Sequence, residues 1–320
     1  MRAIVITENG GPEVLKPAER PDPEPGPGEV LVDIAAIGVN YIDVYFRTGA
    51  YARPLPFVPG LEAAGTVAAL GEGVRDVAVG DRVASVSVPG AYAQRAAVPA
   101  ADLVPVPDGV GFEDAAAALL QGMTAHYLTM STYAVQPGDT VLVHAAAGGM
   151  GLLLTQIAKT RGARVIGTTS TPEKEKLARD AGADVVLGYD GFADRVRELT
   201  GGEGVAAVYD GVGASTFDGS LASLRRRGTL ALYGAASGKV PPFDPQALNQ
   251  AGSVFLTRPT LAHYTATREE LLGRASDVYG WVASGDLRVH VGHRYDLADA
   301  GTAHADLEAR RTTGKLLLLP

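Results

Sequence analysis

The sequence predicts an α/β protein with two domains, one built on a doubly wound parallel sheet and the other mostly β and barrel-like. Its 320 residues are about twice the ~150 residues of an average domain. The first part of the chain reads as short strands between turns rich in Gly and Pro, which number 40 and 20 in the whole chain. From residue 123 onward strands and helices alternate, which is typical of βαβ units and a parallel sheet.

Residues 1–122 and 262–320 are predicted to form the mostly β domain. Runs rich in β-branched residues, such as 30–37, lie between Gly and Pro turns with the spacing of short strands. A long helix is predicted over 268–284. The closing segment KLLLLP reads as a strand that rejoins this domain.

Residues 123–261 are predicted to form the doubly wound domain. A helix rich in Ala and Leu leads into it from Phe112. The run of three arginines at 225–227 is predicted to be a solvated helix end, where cations are favourable. The predicted strands are 141–147, 163–168, 183–188, 205–210 and 228–234, and the helices between them are 148–161, 172–181, 192–199 and 215–224.

Composition and charge exclude several kinds of protein. The 28 Lys and Arg against 36 Asp and Glu give a net charge of −8, which disfavours binding to nucleic acid or to an anionic membrane. The chain has no Cys, which excludes disulfides, iron–sulfur clusters, a thiol nucleophile and Cys-ligated zinc. Because no signal-like start and no membrane-spanning apolar run is seen, a soluble cytoplasmic protein is expected.

A glycine motif lies where the first strand of the parallel sheet meets a helix. Ala146 to Gly151 give the order A-x-G-x-x-G between a strand-like run and a run of good helix formers. In this context Gly148 lets the backbone approach a pyrophosphate, Gly151 lets helix and strand pack closely, and the helix N-terminus stabilises the anion. The motif predicts a dinucleotide site formed by Ala147, Gly148, Gly149, Met150 and Gly151.

The end of the next strand indicates which dinucleotide binds. NAD sites carry an acidic residue about 20 residues beyond the glycines, where it holds the ribose hydroxyls. Here Ser170 stands 22 residues after Gly148, and Lys174 follows in the first turn of the next helix. Hydroxyl donors and an ammonium suit a 2′-phosphate, so the sequence predicts NADPH as the coenzyme.

Seven segments along essentially the whole chain carry a resemblance to a known family. They are GGPEVL (10–15), AIGVNYIDVYFRTGAY (36–51), PGLEAAGTV (59–67), VGDRV (79–83), GMTAHYL (122–128), HAAAGGMG (144–151) and LTRPTL (256–261). Together they resemble the quinone oxidoreductase, or zeta-crystallin-like, branch of the medium-chain dehydrogenase/reductases, and HAAAGGMG is specific to that branch. The resemblance implies a Rossmann nucleotide domain and a GroES-like substrate domain.

The resemblance also bears on metal and substrate. Zinc-dependent relatives carry a Cys and a His where this chain has Asn40 and Leu61, neither of which is a good zinc ligand. No metal site is therefore expected, and a quinone is the implied acceptor because it needs no metal polarisation. An NADPH-dependent reductase of enals, enones or enoyl thioesters is the enzymatic alternative, and it needs an acid to protonate the α-carbon. A non-catalytic NADPH-binding structural or RNA-binding protein is the alternative of another class, which the charge of −8 disfavours.

By the same resemblance, several residues are expected around the nicotinamide and the substrate. Asn40, Tyr45 and Thr124 should border the nicotinamide in the cleft between the domains. Tyr45 either donates a proton or only packs and hydrogen-bonds the coenzyme. Arg47 and Tyr51 either contact substrate or form the rim of a loop.

Further coenzyme contacts and the assembly are implied in the same way. Tyr189 and Arg310, with Arg311 as the second choice, are expected beside Lys174 around the 2′-phosphate. Relatives commonly pair through the edge of the nucleotide-domain sheet, so a homodimer is expected. The residues expected on the nicotinamide side are Tyr233, Gly234, Ala235, Phe255, Leu256 and Thr257.

Overall fold

Two compact units make up the chain, which a computed structural model describes over residues 1–320. One unit comprises Met1–Gln121 and Thr265–Pro320, and the other comprises Gly122–Tyr264. No helix is both long and apolar enough to cross a membrane. The strands are β1 (Arg2–Val5), β2 (Lys16–Glu19), β3 (Glu29–Val39), β4 (Glu62–Leu70), β5 (Arg82–Ser85), β6 (Arg95–Pro99), β7 (Val104–Pro105), β8 (Thr140–Val143), β9 (Arg164–Thr168), β10 (Val185–Leu187), β11 (Val205–Asp210), β12 (Leu224–Leu232), β13 (Phe255–Thr257), β14 (Val291–Asp296) and β15 (Lys315–Leu319). The helices are α1 (Tyr41–Arg47), α2 (Phe112–Tyr127), α3 (Gly149–Thr160), α4 (Pro172–Asp180), α5 (Phe192–Leu199), α6 (Phe217–Ser223), α7 (Gln246–Gln250), α8 (Arg268–Ser284) and α9 (Ala300–Glu308).

The unit of residues 122–264 is a doubly wound parallel sheet, as predicted. Its six strands lie in the order β10-β9-β8-β11-β12-β13, and every neighbouring pair is parallel. The strand order therefore reverses between β8 and β11, and sheets of this kind bind ligands outside the carboxyl ends of the strands at that point. Buried residues of the central strands, such as Leu142, Val208 and Leu230, form the core of this unit.

The other unit is mostly β, also as predicted, and most of its strand pairs are antiparallel. Its larger sheet has seven strands in the order β14-β15-β3-β4-β5-β7, with β6 paired to β3. β15 pairs antiparallel with β3, so that Leu317 lies opposite Gly38. The prediction that the closing strand rejoins this domain is therefore confirmed. Side chains such as Val32, Ile37 and Val98 are buried in the core of this unit.

The three arginines at 225–227 do not end a helix, and that prediction was wrong. Helix α6 ends at Ser223, and the next residue, the buried Leu224, already pairs with Val205 in the parallel sheet. The arginines therefore follow Leu224 within β12. Arg225 lies 3.3 Å from the carboxylate of Asp139, which holds it at the beginning of the strand.

Candidate active site

The bend between β8 and α3 brings the predicted glycine motif together. Ala145 has a φ of 50°, and its carbonyl accepts a hydrogen bond from the Gly148 amide at 2.9 Å. Gly148 is extended, and α3 begins at Gly149. The Leu152 amide donates to the Gly148 carbonyl at 2.9 Å. The amides of 149–151 are therefore those that a helix leaves without intrahelical acceptors.

This bend fits the pyrophosphate of a dinucleotide. A Cβ at Gly151 would overlap the backbone of Ala145 and Ala146, so only glycine lets α3 pack this closely on the end of β8. A Cβ at Gly148 would have one near neighbour, the Ala145 carbonyl oxygen at 3.3 Å, so the backbone there is open to an approaching group. The unpaired amides and the dipole of α3 favour an anion at its N-terminus.

The ends of β9 and β10 carry residues predicted to recognise the 2′-phosphate. Thr171 caps α4, and its hydroxyl accepts a hydrogen bond from the Lys174 amide at 3.3 Å. Ser170 is exposed, whereas Lys174 is half-buried in the first turn of α4. Tyr189 follows β10, and its ring stacks on that of His144 with 6.2 Å between the ring centroids. These residues therefore lie at the carboxyl ends of neighbouring strands.

The segments after β11 and β12 pack against each other. The Tyr233 amide donates to the Asp210 carbonyl at 2.9 Å, and a Cβ at Gly234 would overlap the backbone of Gly211. Tyr233, Gly234 and Ala235 are half-buried. The structure thus places these three predicted residues at the same edge of the sheet as the glycine bend.

The remaining predicted residues of this unit differ in exposure. Thr124 lies on α2 and is buried, with 9% of its surface exposed. Phe255 begins β13, the edge strand of the sheet, and is 62% exposed. Leu256 and Thr257 on the same strand are half-buried.

Asn40 joins β3 to α1 in the mostly β unit, and only 4% of its surface is exposed. Its amide nitrogen donates to Glu62 Oε2 at 2.7 Å, and its amide oxygen accepts from Lys315 Nζ at 2.7 Å. Lys315 Nζ also lies 2.6 Å from Glu62 Oε2. Gly38 allows this arrangement because a Cβ there would overlap the Glu62 carboxylate. A buried ion pair therefore fixes the orientation of the Asn40 amide.

Asp43 completes the cap of α1. Its Oδ2 accepts hydrogen bonds from the Asn40 amide at 2.9 Å and from the Tyr92 hydroxyl at 3.1 Å, while its Oδ1 has no partner. Burial raises the pKa of Asp43 to about 7, and these two hydrogen bonds oppose the shift. The carboxyl group therefore changes its protonation near neutral pH.

Tyr45 and Tyr51 form an aromatic cluster on α1 and the turn after it. Their ring centroids are 5.1 Å apart, and the Tyr51 amide donates to the Tyr45 carbonyl at 3.0 Å. Tyr41 extends the cluster at 5.4 Å from Tyr45, and Phe46 extends it at 5.8 Å from Tyr51. Because Tyr51 is 38% exposed, the cluster offers an aromatic face to a flat ligand.

Arg47 is not at the surface, since only 1% of it is exposed. Its guanidinium donates to the Glu308 carboxylate at 2.8 Å and to the Gly10 carbonyl at 3.1 Å, and it lies 3.1 Å from His304 Nδ1. Burial, aided by the Arg47 charge, lowers the pKa of His304 to about 3, so the neutral ring accepts from Arg47. Each nitrogen of the guanidinium has a partner inside this unit, so neither substrate contact nor a place on a loop rim matches the burial of Arg47.

Arg310 lies beside α1 in the mostly β unit. It has a φ of 55°, and its charge opposes the rise in the pKa of Tyr41 that burial causes. Lys174 and Tyr189 belong to the other unit. The grouping of these three residues around a 2′-phosphate therefore stays a prediction.

The residues around Asn40 do not fit a zinc ion. Both polar atoms of its amide are used by Glu62 and Lys315, and the Lys315 ammonium lies 2.7 Å from the amide oxygen, where it would repel a dication. Leu61 has no donor atom to offer. No group of three or more His, Asp or Glu side chains is arranged to hold a metal ion.

Four polar residues of the two units were not predicted from the sequence. Glu62 and Lys315 orient Asn40, while His144 and Asp210 lie under the glycine bend, and each is at most 2% exposed. A signal was available, because each of the four stands within or directly beside an apolar strand segment. A charged or polar group in such a place must find partners inside the protein.

Fold and site together define a class of protein. A Rossmann unit inserted in a GroES-like unit, with a glycine bend at the strand reversal and no donors for zinc, is the arrangement of a zinc-independent medium-chain dehydrogenase/reductase. Residues 26–108 match the family model of the alcohol dehydrogenase GroES-like domain, and residues 149–271 match that of the zinc-binding dehydrogenases. The second description applies to the family, since this chain lacks the zinc donors.

Known proteins are similar to the chain over its whole length. The quinone oxidoreductase of Pseudomonas aeruginosa is 46% identical, over 100% of this chain and 99% of its own. The 2-haloacrylate reductase of a Burkholderia species is 43% identical, over 99% and 98%. A mycobacterial protein solved with NADPH has a TM-score of 0.98 at 60% identity, and the Escherichia coli quinone oxidoreductase solved with NADPH has 0.97 at 42%, each covering 100% of both chains. The chain belongs to the quinone oxidoreductase family of the medium-chain dehydrogenase/reductases.

Proposed function

We propose that this chain is an NADPH-dependent quinone oxidoreductase that works without a metal ion. The observation that carries the proposal is the glycine bend at the reversal of strand order, together with Ser170 after the next strand and Lys174 in the first turn of α4, where an NAD site would carry an acid. Relatives named quinone oxidoreductases and structures solved with NADPH support it.

The chain's own residues bind and orient the reactants. NADPH, when bound, supplies the reducing equivalents. The amides that begin α3 hold the pyrophosphate, and the dipole of this helix favours its charge. The residues that hold the 2′-phosphate are Ser170, Lys174, Tyr189 and Arg310, and those that line the nicotinamide side are Thr124, Tyr233, Gly234, Ala235, Phe255, Leu256 and Thr257.

On the substrate side, Tyr45 and Tyr51 provide aromatic faces against which a flat quinone packs. Asn40 borders the nicotinamide, and Glu62 and Lys315 keep its amide in one orientation. A reduced quinone takes its protons from Tyr45 or from water.

Steady-state oxidation of NADPH and NADH across quinones of graded size tests the proposal. We expect turnover with quinones, a preference for NADPH, and no effect of chelators. Failure to bind NADPH, or loss of activity on chelation, would contradict it.

A reductase of conjugated carbonyls is the second candidate. It is favoured by the full-length similarity to a 2-haloacrylate reductase. Such a reaction needs a proton at the α-carbon, and Tyr45 is the side chain available to deliver it. A panel of quinones against enals and haloacrylates separates the two functions, because activity confined to the conjugated carbonyls would overturn the choice of a quinone.

The assembly is part of the same proposal. β13 is the edge of the six-stranded sheet and carries the exposed Phe255, so two copies of the chain can join at this edge into a homodimer. A cytoplasmic location stays a prediction, which fractionation of cells expressing the protein would test.

A further inference from the structure

A chain of buried hydrogen bonds runs beneath the glycine bend. Ser220 Oγ donates to Asp210 Oδ2 at 2.8 Å, and His144 Nε2 lies 3.0 Å from Ser220 Oγ. On the other side of the ring, His144 Nδ1 lies 2.9 Å from Thr168 Oγ1, which accepts from the Ala145 amide at 3.3 Å. The side-chain members Asp210, Ser220, His144 and Thr168 are each 0% exposed.

The Asp210 carboxylate determines which group donates and which accepts in each of these hydrogen bonds. The two oxygens of Asp210 accept from the amides of Val212 and Gly213 and from the hydroxyls of Thr216 and Ser220. Ser220 thus donates its hydroxyl hydrogen to Asp210. The Ser220 oxygen can therefore only accept in its second hydrogen bond.

The ring nitrogens of His144 are assigned by the same reasoning. Because Ser220 Oγ must accept, His144 carries its proton on Nε2. Burial lowers the pKa of His144 to about 4 against the charge of Asp210, so the ring is neutral at pH 7 and Nδ1 accepts from the Thr168 hydroxyl. The Thr168 oxygen is then free to accept from the Ala145 amide.

Ala145, where this chain of hydrogen bonds ends, is the most constrained residue of the glycine bend. Ala145 has a φ of 50°, a conformation that residues with a Cβ adopt only when their surroundings impose it. Its amide is held by Thr168, and its carbonyl is held by the Gly148 amide at 2.9 Å. The conformation of Ala145 sets where the chain enters α3, and therefore where the amides of residues 149–151 point.

We propose that Asp210, Ser220, His144 and Thr168 are positioning residues for coenzyme binding, which lock Ala145 so that the N-terminus of α3 faces the pyrophosphate. The proposal rests on the proposed use of NADPH. Asp210 also links this bend to the nicotinamide side, because its carbonyl accepts from the Tyr233 amide at 2.9 Å. Asp210 thereby contacts both regions, the hydrogen-bond chain under the bend through its carboxylate and the nicotinamide side through its main-chain carbonyl.

The first test replaces Thr168 by Val, which keeps the side-chain shape and removes the hydroxyl. We expect the dissociation constant and the KM of NADPH to rise about tenfold, as for loss of a buried hydrogen bond. The KM of the quinone and the kcat at saturating NADPH should change much less. Thr168→Ser should restore NADPH binding because it restores the hydroxyl.

Matched controls come from the same unit. Thr155 on α3 is 0% exposed, and its hydroxyl has no partner, so Thr155→Val should leave NADPH binding unchanged. Ser220→Ala should weaken NADPH binding, whereas Ser223→Ala should not, because the Ser223 hydroxyl donates only to the Gly219 carbonyl within α6 at 2.7 Å. Equal effects of the test and control substitutions would overturn the proposal.

The second test measures the wild-type protein without coenzyme, so it does not depend on turnover, and a variant is needed only to assign the signal. In protein labelled with ¹⁵N-histidine, the His144 ring, assigned through His144→Gln, should carry its proton on Nε2 and show no titration between pH 5 and 8. A proton on Nδ1, or titration near the ordinary value, would overturn the proposal. Failure of the wild type to bind NADPH would instead refute the proposed function, while the ring measurement would still decide the hydrogen-bond chain.

Discussion

Lys174 is the side chain on which the preference for NADPH should depend most. Lys174→Ala is expected to weaken NADPH binding about 10–100-fold, which corresponds to the ~1.5–3 kcal/mol of a charge-assisted hydrogen bond. Titration of coenzyme fluorescence measures the effect. Lys176→Ala is the matched control, since Lys176 lies on the same helix and pairs with Asp180 at 2.6 Å. An unchanged NADPH constant in Lys174→Ala would reject the assignment.

Tyr45 separates the two candidate reactions. Tyr45→Phe keeps the ring that packs 5.1 Å from Tyr51 and removes the only acid of that side chain. With a quinone we expect kcat near that of the wild type, because water can supply the protons. With an enal we expect kcat to fall about 100-fold, the usual contribution of a general acid. If kcat with quinones fell by the same factor, Tyr45 would be the proton donor in quinone reduction.

Residue roles could be predicted where they depend on local geometry, but not where they depend on distant partners. The role of the glycines in 148–151 could be predicted because a turn and a close helix contact require glycine at a fixed spacing. The burial of Arg47 was not, because its partners His304 and Glu308 lie 257 and 261 residues further along the chain. Asn40 was placed at the site by resemblance, but the sequence did not indicate that Glu62 and Lys315 pair with each other and hold it, because they lie 253 residues apart.

The cap of α1 should make stability depend on pH. Folded Asp43 keeps its proton up to about pH 7, whereas the unfolded carboxyl has a pKa near 3.8. Between these values the folded state binds more protons, so the wild type loses stability as the pH rises. Asp43→Asn removes this dependence, and its free energy of unfolding relative to the wild type should increase by about 2 kcal/mol from pH 5 to pH 7.

Urea unfolding at the two pH values measures this change, and any constant cost of the substitution cancels in the comparison. Asp76→Asn in an exposed loop is the control, and it should show no such dependence. If the difference in the free energy of unfolding between Asp43→Asn and the wild type is the same at both pH values, then Asp43 ionises in the folded protein as an ordinary carboxyl group.

The stability of the protein should depend on the ion pair between Glu62 on β4 and Lys315 on β15. Lys315→Met leaves the fully buried Glu62 without its cation and should destabilise the protein by about 3–5 kcal/mol. Adding Glu62→Gln should recover part of this loss. Lys159→Met is the control, because Lys159 and Asp184 are each 35% exposed, and it should cost less than about 1 kcal/mol. Equal losses in denaturant unfolding would show that Glu62 is not effectively buried.

Elements were predictable where the hydrophobic pattern is long and periodic. The helix predicted over 268–284 is α8 residue for residue, whereas α1 was not anticipated. The sequence of α1, YIDVYFR, is rich in β-branched and aromatic residues and follows a strand, so local propensity favours more strand. The capping box of Asn40 and Asp43 begins the helix instead. The arginines 225–227 were misjudged because tertiary pairing at Leu224 overrides their preference for a helix end.

At the scale of the whole molecule, the edge strand β13 should determine the oligomeric state. Phe255 is 62% exposed there, and a charged residue in its place opposes pairing of two sheet edges. We expect Phe255→Asp to elute as a monomer in size-exclusion chromatography with light scattering, and the wild type as a dimer. Phe243→Asp, at an exposed position outside the strands, is the control. A dimer that persists in Phe255→Asp would place the interface elsewhere.

The architecture as a whole was predictable because the alternation of strands and helices admits few topologies. The strand order β10-β9-β8-β11-β12-β13 follows from right-handed crossovers on both sides of β8. What the pattern could not supply are the buried polar contacts, such as Glu62 with Lys315 and Asp210 with Ser220, since each joins residues from separate elements.

The position of β15 between β14 and β3 has a consequence for biosynthesis. Leu316 to Leu318 pair with Ile37 to Val39, so this part of the sheet stays incomplete until residues 316–318 have left the ribosome. The Rossmann unit, made in between from one continuous stretch, can assemble during translation. Meanwhile residues 37–39 of the nascent β3 have no neighbour on the side that β15 later occupies, and an open strand segment of this kind is a point at which emerging chains associate with one another or recruit a chaperone.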